Sequence, residues 1–186
     1  MRRSLFLLAA LSLATVLPAA AQDRIASGGR EGDNLYFRAE KPFARAVLPH
    51  TVDQVWQTLP EAYRRLGFAA SVADSVRKEL STPNMRVRGQ LYTGEANSRY
   101  FTCGRNSLAG PIADQGDITF GLLSRVETDP RGGTVILTQV NARVQRRDSS
   151  QYPVECVSTG LLENTLAQYV AEQIGTSAVQ VQRRNR

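Results

Sequence analysis

The chain has 186 residues, with 23 basic and 17 acidic side chains, one His, two Cys, a formal charge of +6 and 42% hydrophobic residues. Its length excludes a large multidomain enzyme, and its hydrophobic content excludes a fully disordered chain. Two Cys build neither a disulfide-dense scaffold nor a four-thiolate zinc site, and a lone His50 excludes any centre that needs two imidazoles.

Residues 1–21 have the three parts of a secretory signal: Arg2 and Arg3, an apolar run from Leu5 to Leu17, then Pro18 and Ala19-Ala20-Ala21. Small residues at 19 and 21 suit the narrow sites of a signal peptidase. The apolar run of 13 residues is short of the roughly 20 that span a bilayer. Cleavage before Gln22 is therefore expected, and no Cys follows to receive a lipid. A periplasmic or secreted protein is the expectation, and there Cys103 and Cys156 are expected to oxidise to each other. The rival reading of this pair is a reactive thiol or a metal-binding couple.

Residues 22–43, rich in Gly and charge over 22–34, read as a flexible leader, and residues 44–175 as one domain. Ala44 to Leu48 is a short apolar stretch before Pro49, expected as a first strand. Val52, Val55, Trp56, Leu59, Tyr63 and Leu66 then recur at helical spacing, with Thr51 or Asp53 as cap and Gly67 as stop. Pro60 inside this stripe costs about 3 kcal/mol, so a kink or two short helices meeting at Leu59 and Pro60 is expected.

Beyond Gly67 the period changes to two. Phe68, Ala70 and Val72 alternate, as do Met85, Val87 and Leu91 against Arg86, Arg88 and Gln90. Ser98 to Arg105 reads as a further strand, and Ile118, Phe120, Leu122 and Val126 as another. Asp129-Pro130-Arg131-Gly132-Gly133 is a strong turn signal, so the β-branched run Thr134–Val144 is expected to form a hairpin with the strand before it. Leu162, Leu166, Tyr169, Val170 and Ile174 predict a second helix, with Ser158 or Thr159 as cap and Gly175 as stop. Residues 176–186 are polar, end in Arg183-Arg184-Asn185-Arg186, and read as a disordered basic tail. The fold class expected is α+β: a single antiparallel sheet of about six strands with one face covered by two helices.

This order of elements, with Thr51-Val52-Asp53-Gln54-Val55-Trp56, then Leu59, then Leu66-Gly67-Phe68, resembles the opening of a helix-grip domain. Two families of that architecture are similar: BamC-type lipoproteins of the outer-membrane assembly machinery, and START-like lipid-binding domains. The first resemblance implies a non-catalytic scaffold, here without the lipid anchor. The second implies a cavity between the sheet and the C-terminal helix.

No constellation in the sequence carries a reaction. Ser107 lacks nucleophile-elbow spacing, and His50 could serve a thiol at Cys103 or Cys156 only if these were unbridged. Asp114 and Asp117 offer oxygen ligands for a divalent cation, but such pairs are more often turn formers. The glycines at 104, 110 and 116 stand in no phosphate-loop pattern. Gly104 to Gly116 is nevertheless the longest irregular stretch, which makes Arg105, Asn106 and Asp114 the candidate binding loop, against an ordinary connector. Trp56, Tyr63 and Tyr169 are the candidate pocket residues, against plain core packing.

The function expected is therefore a non-catalytic, cofactor-free cell-envelope domain that binds a protein or envelope component. The alternatives are a carrier of a small apolar ligand beneath the C-terminal helix, and an enzyme of unknown type. The charge does not point to nucleic acid. It falls to +4 once Arg2 and Arg3 leave with the signal, and to +1 over residues 22–182, where 18 basic residues face 17 acidic ones. At most, the basic tail would touch an anionic membrane surface weakly.

Overall fold

The structure, a computed structural model, describes residues 43–91, 94–106, 109–147, 153–176 and 181–183. The elements run β1 (Ala44–Leu48), α1 (Val52–Arg65), β2 (Val72–Asp74), β3 (Glu79–Arg88), β4 (Phe101–Thr102), β5 (Arg105–Asn106), β6 (Gly110–Pro111), β7 (Gly116–Thr128), β8 (Thr134–Arg146), β9 (Val154–Ser158), α2 (Leu161–Gln173) and β10 (Val181–Arg183). Single 3₁₀ turns at Asn97–Arg99 and Ile112–Asp114 flank the short strands β4 to β6. This is an α+β fold with two helices on a large antiparallel sheet.

The β7–β8 hairpin is its spine. Thirteen residue pairs run from Thr128 opposite Thr134 to Gly116 opposite Arg146. Asp129 closes the turn: its amide donates to the Gly133 carbonyl (3.0 Å), its carbonyl accepts from Gly132 (2.9 Å), and its Oδ1 accepts from the Arg131 amide (2.9 Å). Gly133 has φ +84°, and a Cβ there would stand 2.5 Å from the Leu48 carbonyl oxygen. Only glycine fits both the left-handed turn and the close passage of the chain leaving β1.

Strand order is β10-β1-β8-β7-β3-β2. The outer edge of β8 is shared: β1 pairs with Thr134–Thr138, and β9 pairs with Ala142–Val144. Val144, Ala142, Ile136 and, on β7, Ile118, Phe120, Leu122 and Val126 are buried in one hydrophobic core. They share it with Val55, Leu59 and Tyr63 of α1 and with Leu162, Leu166 and Val170 of α2. Phe120 is central, its ring centroid 5.6 Å from Phe68 and 5.3 Å from Phe101.

Helix α1 begins with a capping box. The Gln54 amide donates to Thr51 Oγ1, and the Thr51 amide donates to Gln54 Oε1 at 3.1 Å. Of the kink or the two short helices expected at Pro60, the second is not found: α1 is one continuous helix of 14 residues. Val55 and Leu59 before Pro60 and Ala62 and Tyr63 after it are all fully buried in the same core, and a buried side chain of this kind contributes about 1.5–3 kcal/mol. Several together outweigh the proline.

Three strand readings need correction, and further strands are added. The alternation at Phe68, Ala70 and Val72 is not a strand until Val72, because Phe68 turns back into the core behind the helix end. β3 starts earlier than the Met85 signal, at Glu79, and crosses Pro83 by a register shift between Thr82 and Met85, with Asn84 at φ +57°. Ser98 to Arg105 is a 3₁₀ turn and two two-residue strands, not one strand. Three strands were not expected: β6, paired with β5 inside the stretch read as irregular, β9, paired with β8, and β10, which pairs antiparallel with β1 (Val181 opposite Ala46). At Val181–Arg183 the supposed disordered tail is thus sheet; residues 177–180 and 184–186 lie outside the described residues. So do the expected signal, residues 1–21, and all of the leader except Phe43.

The capping of α2 also shifts. Gly160, in the left-handed region, is the N-cap. Ser158 Oγ accepts from the Gly160 amide and Thr159 Oγ1 from the Leu161 amide, so both predicted caps hold the turn that enters the helix.

Candidate functional site

The three aromatic residues singled out as a pocket have separate partners. Tyr63 is fully buried, its hydroxyl 3.0 Å from the Leu80 carbonyl oxygen and 3.0 Å from Ser124 Oγ. A carbonyl only accepts, so the phenol proton serves Leu80. Burial pushes this phenol well above its ordinary pKa, with the Ser124 contact opposing. Such a group is a core strut rather than an acid or base at neutral pH. Trp56 is half-buried, with Lys78 Nζ 5.8 Å from the ring centroid; Lys78 also pairs with Asp53 at 3.0 Å. Tyr169 is half-buried under the Arg65 guanidinium, 4.0 Å above the ring, and Arg65 reaches Glu172 at 3.0 Å. That stack ties α1 to α2.

The candidate loop is organised by its own hydrogen bonds. Arg105 and Asn106 form β5, opposite Pro111 and Gly110 of β6. Gln115 Nε2 lies within 2.9–3.2 Å of the carbonyl oxygens of Ala109, Gly110 and Pro111. Asp114 Oδ1 accepts from the Ser98 amide at 2.8 Å and so fastens one 3₁₀ turn to the other. Asp117 instead pairs with Arg88 (3.2 Å) and Arg147 (3.3 Å). The structure gives both carboxylates partners in the fold and leaves Arg105 exposed on β5.

Cys103 and Cys156 form a disulfide, and both are buried. It lies one step along from the Thr102–Val157 pair of β4 and β9, with 4.2 Å between the Cα atoms. Neither thiol is free, which removes the Cys-His alternative. His50 contacts Thr176 Oγ1 through Nε2, and its carbonyl accepts from Thr134 Oγ1 at 2.6 Å.

The open space that sequence reasoning missed lies elsewhere. A groove of about 420 Å³ opens at the β2 margin of the sheet, lined by Val72, Asp74, Arg77, Glu79, Ser81 and Leu123, with Ala73 and Ser75. The turn beside it shapes the rim. Asp74 Oδ1 accepts from the amides of Val76 and Arg77 (2.9 Å each), and Arg77 Nε binds Asp74 Oδ2 at 2.8 Å. The Arg77 amide and guanidinium hold the Asp74 carboxyl below its ordinary pKa, so it stays charged. Glu79 at the groove floor is almost fully buried and is held by Arg125. Val72, which lines the groove, is 36% exposed, and Val76, in the turn beside it, is 90% exposed.

Comparison of the chain with protein-family models, with curated proteins and with solved structures finds no match. No helix among the described residues is long and apolar enough to cross a membrane. The buried disulfide is compatible with an extracytoplasmic location.

Proposed function

We infer that this chain is a non-catalytic cell-envelope domain that binds another envelope protein, and that the contact lies along the groove at the β2 margin. The observation that carries the reading is the combination of an open groove lined by the exposed Val72, an exposed Val76 in the adjoining turn, and an edge strand of three residues at the end of the sheet order. Edge strands accept extended segments of other chains by main-chain pairing, with neighbouring pockets reading alternate side chains. The disulfide and the signal-like residues 1–21 support an oxidising compartment. The order of elements, which resembles helix-grip scaffold domains, supports a binding role.

The carrier alternative has less support. Tyr63, Phe101, Phe120, Leu59, Leu162 and Leu166 between the sheet and the helices are each under 2% exposed, and no residue of α2 lines the groove. Site-specific photocrosslinking in envelope preparations tests the reading. A crosslinker at position 72 or 76 should give a discrete protein adduct, whereas one at Val154, also exposed, should not. Equal labelling from all three positions, or none from 72 and 76, overturns it.

A further inference from the structure

Burial on the second face of the sheet points to a partner from within the chain. Both helices share a core with the even-numbered side chains of β7 and β8, so the odd-numbered ones face the other way. The register lays out a row across four strands on that second face: Val72 of β2 opposite Ser81 of β3, Ser81 opposite Leu123 of β7, and Leu123 opposite Gln139 of β8. A sheet face turned to water exposes such side chains. Here the centre of the row is dry: Ser81 is 3% exposed, Leu123 5% and Gln139 1%, with Asn141 beside them at 2% and Val135 at 3%. Only toward the margin, at Val72, does exposure return. The helices cannot account for this, because they cover the opposite face.

We propose that the segment preceding β1, residues 22–42, lies across this second face as an intramolecular strap, with Leu35, Tyr36 and Phe37 as its apolar anchor. Length and attachment favour it. The chain enters the sheet at Ala44 on β1, next to β8, and Leu123 on β7 is two strands away, about 10 Å. The seven residues from Phe37 to Ala44 reach up to about 23 Å when extended. Residues 1–21 are expected to leave with the signal, and the remaining stretches outside the described residues are five residues or fewer, too short to cover the row from their positions. Composition agrees: within residues 22–42 the bulky apolar side chains are Ile25 and the consecutive Leu35-Tyr36-Phe37. Residues 22–42 lie outside the described residues, and the groove, whose lining shares Ser81 and Leu123 with the row, is the β2 end of the same face. The inference stands independently of what binds that groove.

Paramagnetic relaxation in the full exported chain, disulfide intact, tests this. A nitroxide attached through Arg38→Cys keeps all three anchor residues. The amides of Gly121, Leu123, Gln139 and Asn141 should lose most of their intensity, while those of α1 and α2 keep theirs. Uniform or absent broadening overturns the strap. Broadening of the same amides only in a mixture of labelled and isotopically visible copies also overturns it, since a second copy would then be the cover. As a second measurement, a chain starting at Phe43 should gain a surface that binds a hydrophobic dye, and added peptide of residues 22–42 should abolish the dye signal. Failure of the peptide to displace the dye from the folded truncated chain counts against the strap.

Discussion

Replacing both members of the disulfide, Cys103→Ala with Cys156→Ala, isolates the contribution of the one covalent link in the fold. The bridged residues are 53 apart in the chain. Closing a loop of that length removes about 14 cal/mol/K of entropy from the unfolded ensemble, or about 4 kcal/mol at 25 °C. The sulfurs are buried among core side chains, so truncation adds about 1 kcal/mol for lost packing. For a domain of this size each kcal/mol corresponds to about 3 °C in melting temperature, giving an expected drop of about 12–15 °C. The loss should concentrate in one part of the fold, since β4 is two residues long and is paired with β9 alone. Thermal and urea unfolding of the wild type, with and without reductant, and of the double variant are the assays. The reduced wild type and the double variant should fall together, and reductant should leave the variant unchanged. A double variant within about 1 kcal/mol of the oxidised wild type would refute the loop-entropy argument.

Two further outcomes are expected. Tyr63→Phe removes a buried hydroxyl and leaves Ser124 Oγ and the Leu80 carbonyl short of a partner, at about 1–3 kcal/mol; in urea titrations the Tyr63→Phe, Ser124→Ala pair should cost less than the sum of its members, and strict additivity would show that the contact is not coupled. The Asp129 carboxyl is held below its ordinary pKa, first by the Arg131 amide and then by the charges of Arg45 and Arg131, against desolvation. A carboxyl depressed in the folded state stabilises above its unfolded pKa and loses that stabilisation as pH falls through its folded value. Asp129→Asn should therefore flatten part of the decline in stability on acidification, and an unchanged slope would count against the assignment.

The hairpin was readable because Asp129–Gly133 announces its turn and an apolar side chain recurs at alternate positions on both sides. The first helix was readable from its stripe, but its continuity through Pro60 depends on tertiary packing that no local rule supplies. β9 was hidden because Val154–Ser158 is only five residues long and directly follows Pro153, with no clear alternation of its own. β10 was hidden because Val-Gln-Arg has strand character only when β1 is beside it. The candidate site fared worse for the same reason. A helical stripe cannot distinguish a pocket-lining Tyr from one that donates to a strand carbonyl, as Tyr63 does. The groove brings Leu123 against residues 72–81, a neighbourhood created by the β3–β7 register.

The divided outer edge of β8 sets an order of assembly. β9 returns to β8 over 14 residues, from Ala142 to Cys156, whereas β1 must be met across 86, from Leu48 to Thr134. By loop-closure entropy the longer return costs about 1.6 kcal/mol more. The first strand made thus finds its neighbour late. In a chain that emerges N-terminus first, Ala44–Leu48 waits with its backbone unpaired until Thr134–Thr138 of β8 has followed.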